Sequence, residues 1–238
     1  MALKVWSGSA WQQASAIKVW NGTAWTSATA GKVWNGSAWV EFFGFTPTTY
    51  DTATNIAASG TVTIPSGATT LILEVWSGGG GGGAASSGIN GYGGGGGGYS
   101  KTTFTVSSAA GKTIQYARGA KGTGGLNPAG LGTNGGSSTS SSGVSNPFSM
   151  QNISITGGTG GNWGGTGSPP YYGIGGVVTN NNAGATNTDG NDGFLSSGGF
   201  ALGGDNSNSA GGGGDGETAP GGVAGSDGQD GRVIFTFT

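Results

Sequence analysis

The residues with the widest chemical reach in this chain are its carboxylates. Asp189, Asp192, Asp205, Asp215, Glu217, Asp227 and Asp230 are seven of its ten acids. Paired carboxylates can cleave a glycosidic bond, one as general acid and the other as base or nucleophile. Clustered ones can hold Ca²⁺ through oxygen ligands. The local patterns are Asp189-Gly-Asn-Asp192, Gly214-Asp-Gly-Glu217 and Asp227-Gly-Gln-Asp-Gly231. None follows the EF-hand loop or the nonapeptide calcium repeat. Glycine neighbours place these acids in open turns, where the burial that perturbs a catalytic pKa is absent. Solvated turn residues are therefore expected, with no metal and no catalytic role. The chain has no His and no Cys. That removes the Ser-His-Asp triad, the Cys-His pair, thiolate zinc sites and disulfides. Gly-x-Gly-x-x-Gly strings recur, but none opens a helix after a strand and no P-loop is present, so no nucleotide or other cofactor is expected.

Charge narrows the partners. The net charge is −2, and only 8% of the 238 residues are charged. The first part of the chain, through Lys121, carries seven bases against three acids; the rest carries Arg232 against seven acids. Arg118 and Lys121 are too few for a nucleic-acid patch. The apolar runs are too short for a membrane-spanning helix. Met1-Ala-Leu-Lys-Val-Trp has no apolar h-region, so no Sec-type signal peptide is expected.

Aromatic residues are the other candidates for recognition. Lys4-Val-Trp-Ser-Gly-Ser-Ala-Trp11, Lys18-Val-Trp-Asn-Gly-Thr-Ala-Trp25 and Lys32-Val-Trp-Asn-Gly-Ser-Ala-Trp39 repeat at a spacing of 14. Asn-Gly between β-formers signals a tight hairpin. With Asn35-Gly36 as a two-residue turn, Trp34 faces Ser37, Val33 faces Ala38 and Lys32 faces Trp39. Alternation then puts both Trp and the Lys on one face. A lone hairpin is marginal in water. Three stacked hairpins would bury Trp6, Trp11, Trp20, Trp25, Trp34 and Trp39 as a ladder, as short repeats do. A sugar-binding platform and contact with a partner chain remain open. Residues 1–43 are read as an anchor to partner proteins or to sister chains, and 44–60 as a linker.

The remainder, 61–238, divides into a frame and a body. Thr61–Ile64, Thr70–Trp76, Tyr99–Val106, Thr113–Ala117 and Arg232–Thr238 read as strands separated by Gly/Ser turns. They predict a small antiparallel β-sandwich. Between them lies the glycine: 51 of the chain's 58 fall in residues 78–231, with runs at 78–83 and 93–98. There is no strict Gly-X-Y period, and seven prolines exclude collagen. Ordering this many glycines costs on the order of 25–50 kcal/mol relative to alanine. Side chains cannot offset that, so either the body is a flexible linker or its backbone amides pair in close-packed extended helices. Interleaving with the frame favours order. The expected fold is thus all-β: Trp-rich hairpins, then a sandwich frame enclosing a polyglycine-II-like body.

Large rings set in such a lattice need a reason. Tyr92, Trp163, Tyr171 and Tyr172 are the receptor-contact candidates, the last three in loop-like settings.

Thr61–Trp76, Gly93–Val106 and Gly231–Phe237 resemble the glycine-rich domain of bacteriophage tail-fibre and receptor-binding proteins. The resemblance covers about residues 55–238, and the Trp repeats are similar to N-terminal segments of phage tail proteins. It implies a virion protein at the host-facing surface, a homo-oligomer with a trimer as first choice, and a receptor that is a host surface glycan or an outer-membrane protein. No binding residue carries over from the family. The expected function is non-enzymatic attachment to the host, with a structural head-fibre or capsid decoration role as the alternative.

Overall fold

The computed structural model describes residues 4–13, 17–28, 30–43, 45–85, 90–126, 138–142, 150–161, 172–193, 211, 213 and 224–238. Among these there is no helix. The head forms three separate two-stranded sheets: β1 (Lys4–Trp6) with β2 (Trp11–Gln13), β3 (Lys18–Trp20) with β4 (Trp25–Ser27), and β5 (Gly31–Trp34) with β6 (Trp39–Phe43).

The hairpin register differs from the expected one. Trp34 pairs with Trp39, Val33 with Val40 and Lys32 with Glu41. The turn is four residues long because the Asn35 carboxamide closes it. Its Oδ1 accepts from the Ser37 and Ala38 amides, both at 2.9 Å. Asn21 does the same for Thr23 and Ala24, and Ser7 Oγ accepts from the Ala10 amide. Gly8, Gly22 and Gly36 supply φ of 96°, 98° and 102°, which other residues resist. The amide of Asn35 donates to the Ala38 carbonyl. This leaves the Trp pair at the next, non-hydrogen-bonded position, where side chains approach most closely.

The frame is a β-sandwich of two five-stranded sheets. The first has the order β15 (Thr186–Thr188), β10 (Tyr99–Thr105), β9 (Thr70–Trp76), β16 (Arg232–Phe237), β7 (Thr48–Asp51). The second runs β14 (Val178–Asn180), β13 (Ile153–Ile155), β12 (Ser138–Ser142), β11 (Thr113–Ala117), β8 (Ser59–Thr63). Every pairing is antiparallel. Period-2 alternation sends Leu71, Leu73 and Val75 of β9 and Val233, Phe235 and Phe237 of β16 inward. They meet Val62, Ile114, Tyr116, Ile153 and Ile155 of the other sheet in one core. Tyr116 and Phe235 contact edge to face across it at 5.4 Å.

Residues 48–51 of the segment read as a linker form β7, an edge strand on β16. Asp51 then takes the Arg232 guanidinium in a two-pronged bond, Nε to Oδ1 at 2.9 Å and Nη2 to Oδ2.

One side of the core is polar. Asn180 Nδ2 donates to Ser100 Oγ and Thr102 Oγ1, tying β14 to β10, and Asn182 Nδ2 donates to Asn180 Oδ1. These buried amides find partners within the network, as burial demands.

The glycine body continues from one end of this frame rather than lying inside it. Seven strands run directly into extended glycine segments: 77–85 follows β9, 91–98 leads into β10, 118–126 follows β11, 156–161 follows β13, 173–177 leads into β14, 189–193 follows β15 and 224–231 leads into β16. Their backbone bonds step by three residues on both partners. Gly122 and Gly125 donate to Gly79 and Gly82. Gly225, Gly228 and Gly231 donate to Gly125, Gly122 and Gly119. Gly190 and Gly193 donate to Gly176 and Gly173. Three residues per turn is the repeat of the extended polyproline-II-type helix, whose backbone is free to bond sideways.

Candidate binding surfaces

The rods show what the glycine is for. A Cβ on Gly80 would lie 2.0 Å from the Thr159 carbonyl oxygen, and one on Gly95 2.1 Å from that of Ile174. The two inner rods, 78–83 and 93–98, are all glycine. The outer rods 118–126 and 224–231 carry it where they face a neighbour: at Gly119, Gly122 and Gly125, or Gly225, Gly228 and Gly231, at every third position, and also at Gly124, where a Cβ would lie 1.8 Å from the Gly225 carbonyl oxygen. Their other positions carry ordinary side chains.

Four of the seven acids expected as solvated turn residues also accept from backbone amides of a neighbouring rod, and Asp227 and Asp230 stay partly exposed while doing so. Asp230 and Asp227 accept from the amides of Lys121 and Gly124, both at 2.9 Å. Asp192 and Asp189 accept from those of Gly175 and Val178, both at 2.8 Å. The three-residue spacing of each pair matches the rod repeat, so each carboxylate stitches one rod to the next. Asp205, Asp215 and Glu217 lie outside the described residues. Lys121 Nζ sits 2.7 Å from Asp227, and the Arg118 guanidinium 2.9 Å from Asp230. The bond from Lys121 holds the Asp227 carboxyl below the usual carboxylate range. These groups and Arg232 line a groove of about 300 Å³. Each of its three cations has a carboxylate partner, Arg232 pairing with Asp51, so the groove offers no free positive field.

The level of the body that carries Tyr92 and Tyr172 is the second surface. Gly83 donates to Tyr92, Gly161 to Gly81, Gly173 to Gly93 and Gly193 to Gly173, which puts residues 81–83, 92–93, 161, 173 and 193 at one level. This level lies about two turns of rod beyond the sandwich. Tyr92 is half-buried there, with its carbonyl held by Gly83. Tyr172 stands at the same level, 37% exposed. Trp163 and Tyr171 lie outside the described residues. Along the flank below Tyr172, Ile174 and Val177 are exposed three residues apart on one side of their rod.

The third surface is the head. Its rings pair at 5.6 Å (Trp6–Trp11), 5.7 Å (Trp20–Trp25) and 5.9 Å (Trp34–Trp39). The hairpins do not stack into the expected ladder. The six rings are between 51% and 67% exposed, because each is covered only by its cross-strand partner. Aromatic positions were legible in the sequence. The signal in the sequence for the carboxylate stitches is the spacing of three within both Asp pairs, Asp189 with Asp192 and Asp227 with Asp230.

Residues 52–238 match the sequence profile of the family described as glycine-rich domain. The match takes in the whole sandwich except β7 together with the whole described body, and the chain belongs to that family. A comparison with curated proteins gave no match.

Proposed function

We propose that the protein is a non-enzymatic attachment protein of a bacteriophage virion, exposed on the tail or capsid, whose glycine body presents contact residues to the host surface. The observation that carries this reading is the seven-strand continuity from sandwich to rods. Rods that give up their side chains to pack backbone on backbone form a stiff mast. What such a mast can offer is contact residues held away from the sandwich, as Tyr92 and Tyr172 are. Partners are other virion proteins, further copies of this chain and a host glycan or outer-membrane protein. Many copies on one particle would turn weak single contacts into firm attachment.

A structural head-fibre or decoration role is the second reading. The exposed Ile174 and Val177 favour it, since an apolar flank suits lateral packing. Fluorescently labelled full chain applied to intact cells of candidate hosts separates the two. Attachment predicts saturable binding to one host that is lost when Trp163, Tyr171 and Tyr172 become Ala. Absence of binding to every strain the parent phage infects supports the structural role instead.

A further inference from the structure

The head presents six Trp rings on three hairpins, each ring more than half exposed. Exposed rings of this size call for a cover. The three faces repeat one another and are tethered by short connections, which gives each a high effective concentration for the others. Even so, each hairpin pairs only within itself, and no ring is buried by another hairpin. A self-complementary face would close within the chain first, so a further copy of the same face is a poor cover.

The chemistry of the face is specific. The two rings of each hairpin are inclined at 57° to 61°, which leaves a flat side of each ring open. Strand alternation puts Lys4, Lys18 and Lys32 on the same face as Trp6, Trp20 and Trp34, two residues away. All three lysines are exposed. At the register positions opposite them are Gln13, Ser27 and Glu41, so in two of the three hairpins the cross-strand residue is not an acid. An ammonium beside the rings repels the cationic ligands that ring pairs otherwise hold and attracts an anion. Nucleic-acid bases also stack on Trp, but they come with a continuous basic track. One lysine per hairpin in a chain of net charge −2 provides none.

We propose that the three hairpins are three copies of one subsite for an acidic saccharide. Sugar rings stack on the Trp pair, and the acid group of the sugar pairs with Lys4, Lys18 or Lys32. The repeat makes the head a multivalent binder of a polymer with regularly spaced acid groups. This inference rests on the head alone and stands or falls separately from the reading of the body.

The test is tryptophan fluorescence of the full chain titrated with oligogalacturonate, with neutral malto-oligosaccharide and with oligo-dT. A triple variant, Lys4→Gln, Lys18→Gln and Lys32→Gln, keeps every Trp pair; its circular-dichroism couplet from paired indoles verifies that the hairpins remain folded. The proposal expects a saturable response to oligogalacturonate, weakened about tenfold in the triple variant by loss of the charged contacts, and a weaker response to the neutral sugar. Equal binding of neutral and acidic sugars, or no response to either, overturns it. So does tighter binding of oligo-dT, or self-association that shields the indoles.

Discussion

Replacing Gly80 by Ala probes the rod packing directly. Its Cβ would sit 2.0 Å from the Thr159 carbonyl oxygen and 2.4 Å from the carbonyl carbon, and Cβ atoms essentially never come within 3.0 Å of a neighbour. The obstacle is backbone, so the rods 78–83 and 156–161 must part by about 1 Å or more. Two bonds hold them together, from the Gly158 amide to the Gly78 carbonyl at 3.0 Å and from the Gly161 amide to the Gly81 carbonyl at 2.8 Å. Parting the rods carries both past the roughly 3.2 Å limit of a useful hydrogen bond. Each buried backbone pair left unmade costs about 1–3 kcal/mol. The expected loss is therefore about 2–6 kcal/mol, a large share of the stability of a domain. Since about 1 kcal/mol shifts Tm by roughly 2–4 °C at this chain length, differential scanning calorimetry should show a fall of about 5–20 °C. Gln229→Ala is the control, because that side chain is exposed while its backbone carbonyl accepts from Gly79. It should stay within about 0.5 kcal/mol of the parent. A Gly80→Ala protein that melts within 2 °C of the parent, a change of about 1 kcal/mol or less, refutes the close packing of the rods.

Other outcomes follow from the same geometry. Asp51 has its carboxyl held below the usual range by the hydrogen bonds from Arg232, against the opposing effect of burial. A folded-state value below the unfolded one stabilises above the unfolded pKa, 3.8, and that contribution is lost as pH falls through the folded value. Urea midpoints should drop below about pH 4, and Asp51→Asn should lower stability at neutral pH while flattening this acid limb. Asp227→Ala frees the Gly124 amide to water and so should cost less than about 1 kcal/mol in urea titration. Trp20→Ala should abolish the indole couplet of its own hairpin, whose ring pair is worth about 0.5–1.5 kcal/mol, and leave the calorimetric transition of the sandwich unmoved. Gly36→Ala, at φ 102°, should unfold the third hairpin alone by about 1–2 kcal/mol, read from amide exchange of Trp34 and Trp39.

The strands that residue pattern identified were those with apolar alternation. β9, β10, β11 and β16 stand where Thr70–Trp76, Tyr99–Val106, Thr113–Ala117 and Arg232–Thr238 placed them. β7, Thr-Thr-Tyr-Asp, and β12, Ser-Thr-Ser-Ser-Ser, have no such pattern; pairing with β16 and with β11 and β13 makes them strands. The hairpins were legible, but their register was not. A side-chain oxygen of Asn21 or Asn35 replaces the expected backbone closure and lengthens the turn. For the body, composition suggested packed glycine rods but not their arrangement. The period was hidden because only outer rods show it, as in Gly225-Ser-Asp-Gly228-Gln-Asp-Gly231, while the inner rods are glycine throughout. The aromatic candidates were visible as residues. Their settings, half-buried for Tyr92 and exposed for Tyr172 and the head, depend on pairing between segments distant in sequence.

Competition tests the proposed attachment to a phage host most directly. Host cells are saturated with the purified full chain, and adsorption of the parent phage is then measured. A receptor-contacting protein occupies the sites the particle needs, so adsorption should fall with protein concentration, and the Trp163, Tyr171 and Tyr172 to Ala protein should not compete. Undiminished adsorption at every protein concentration, from particles that carry this chain, would contradict the account.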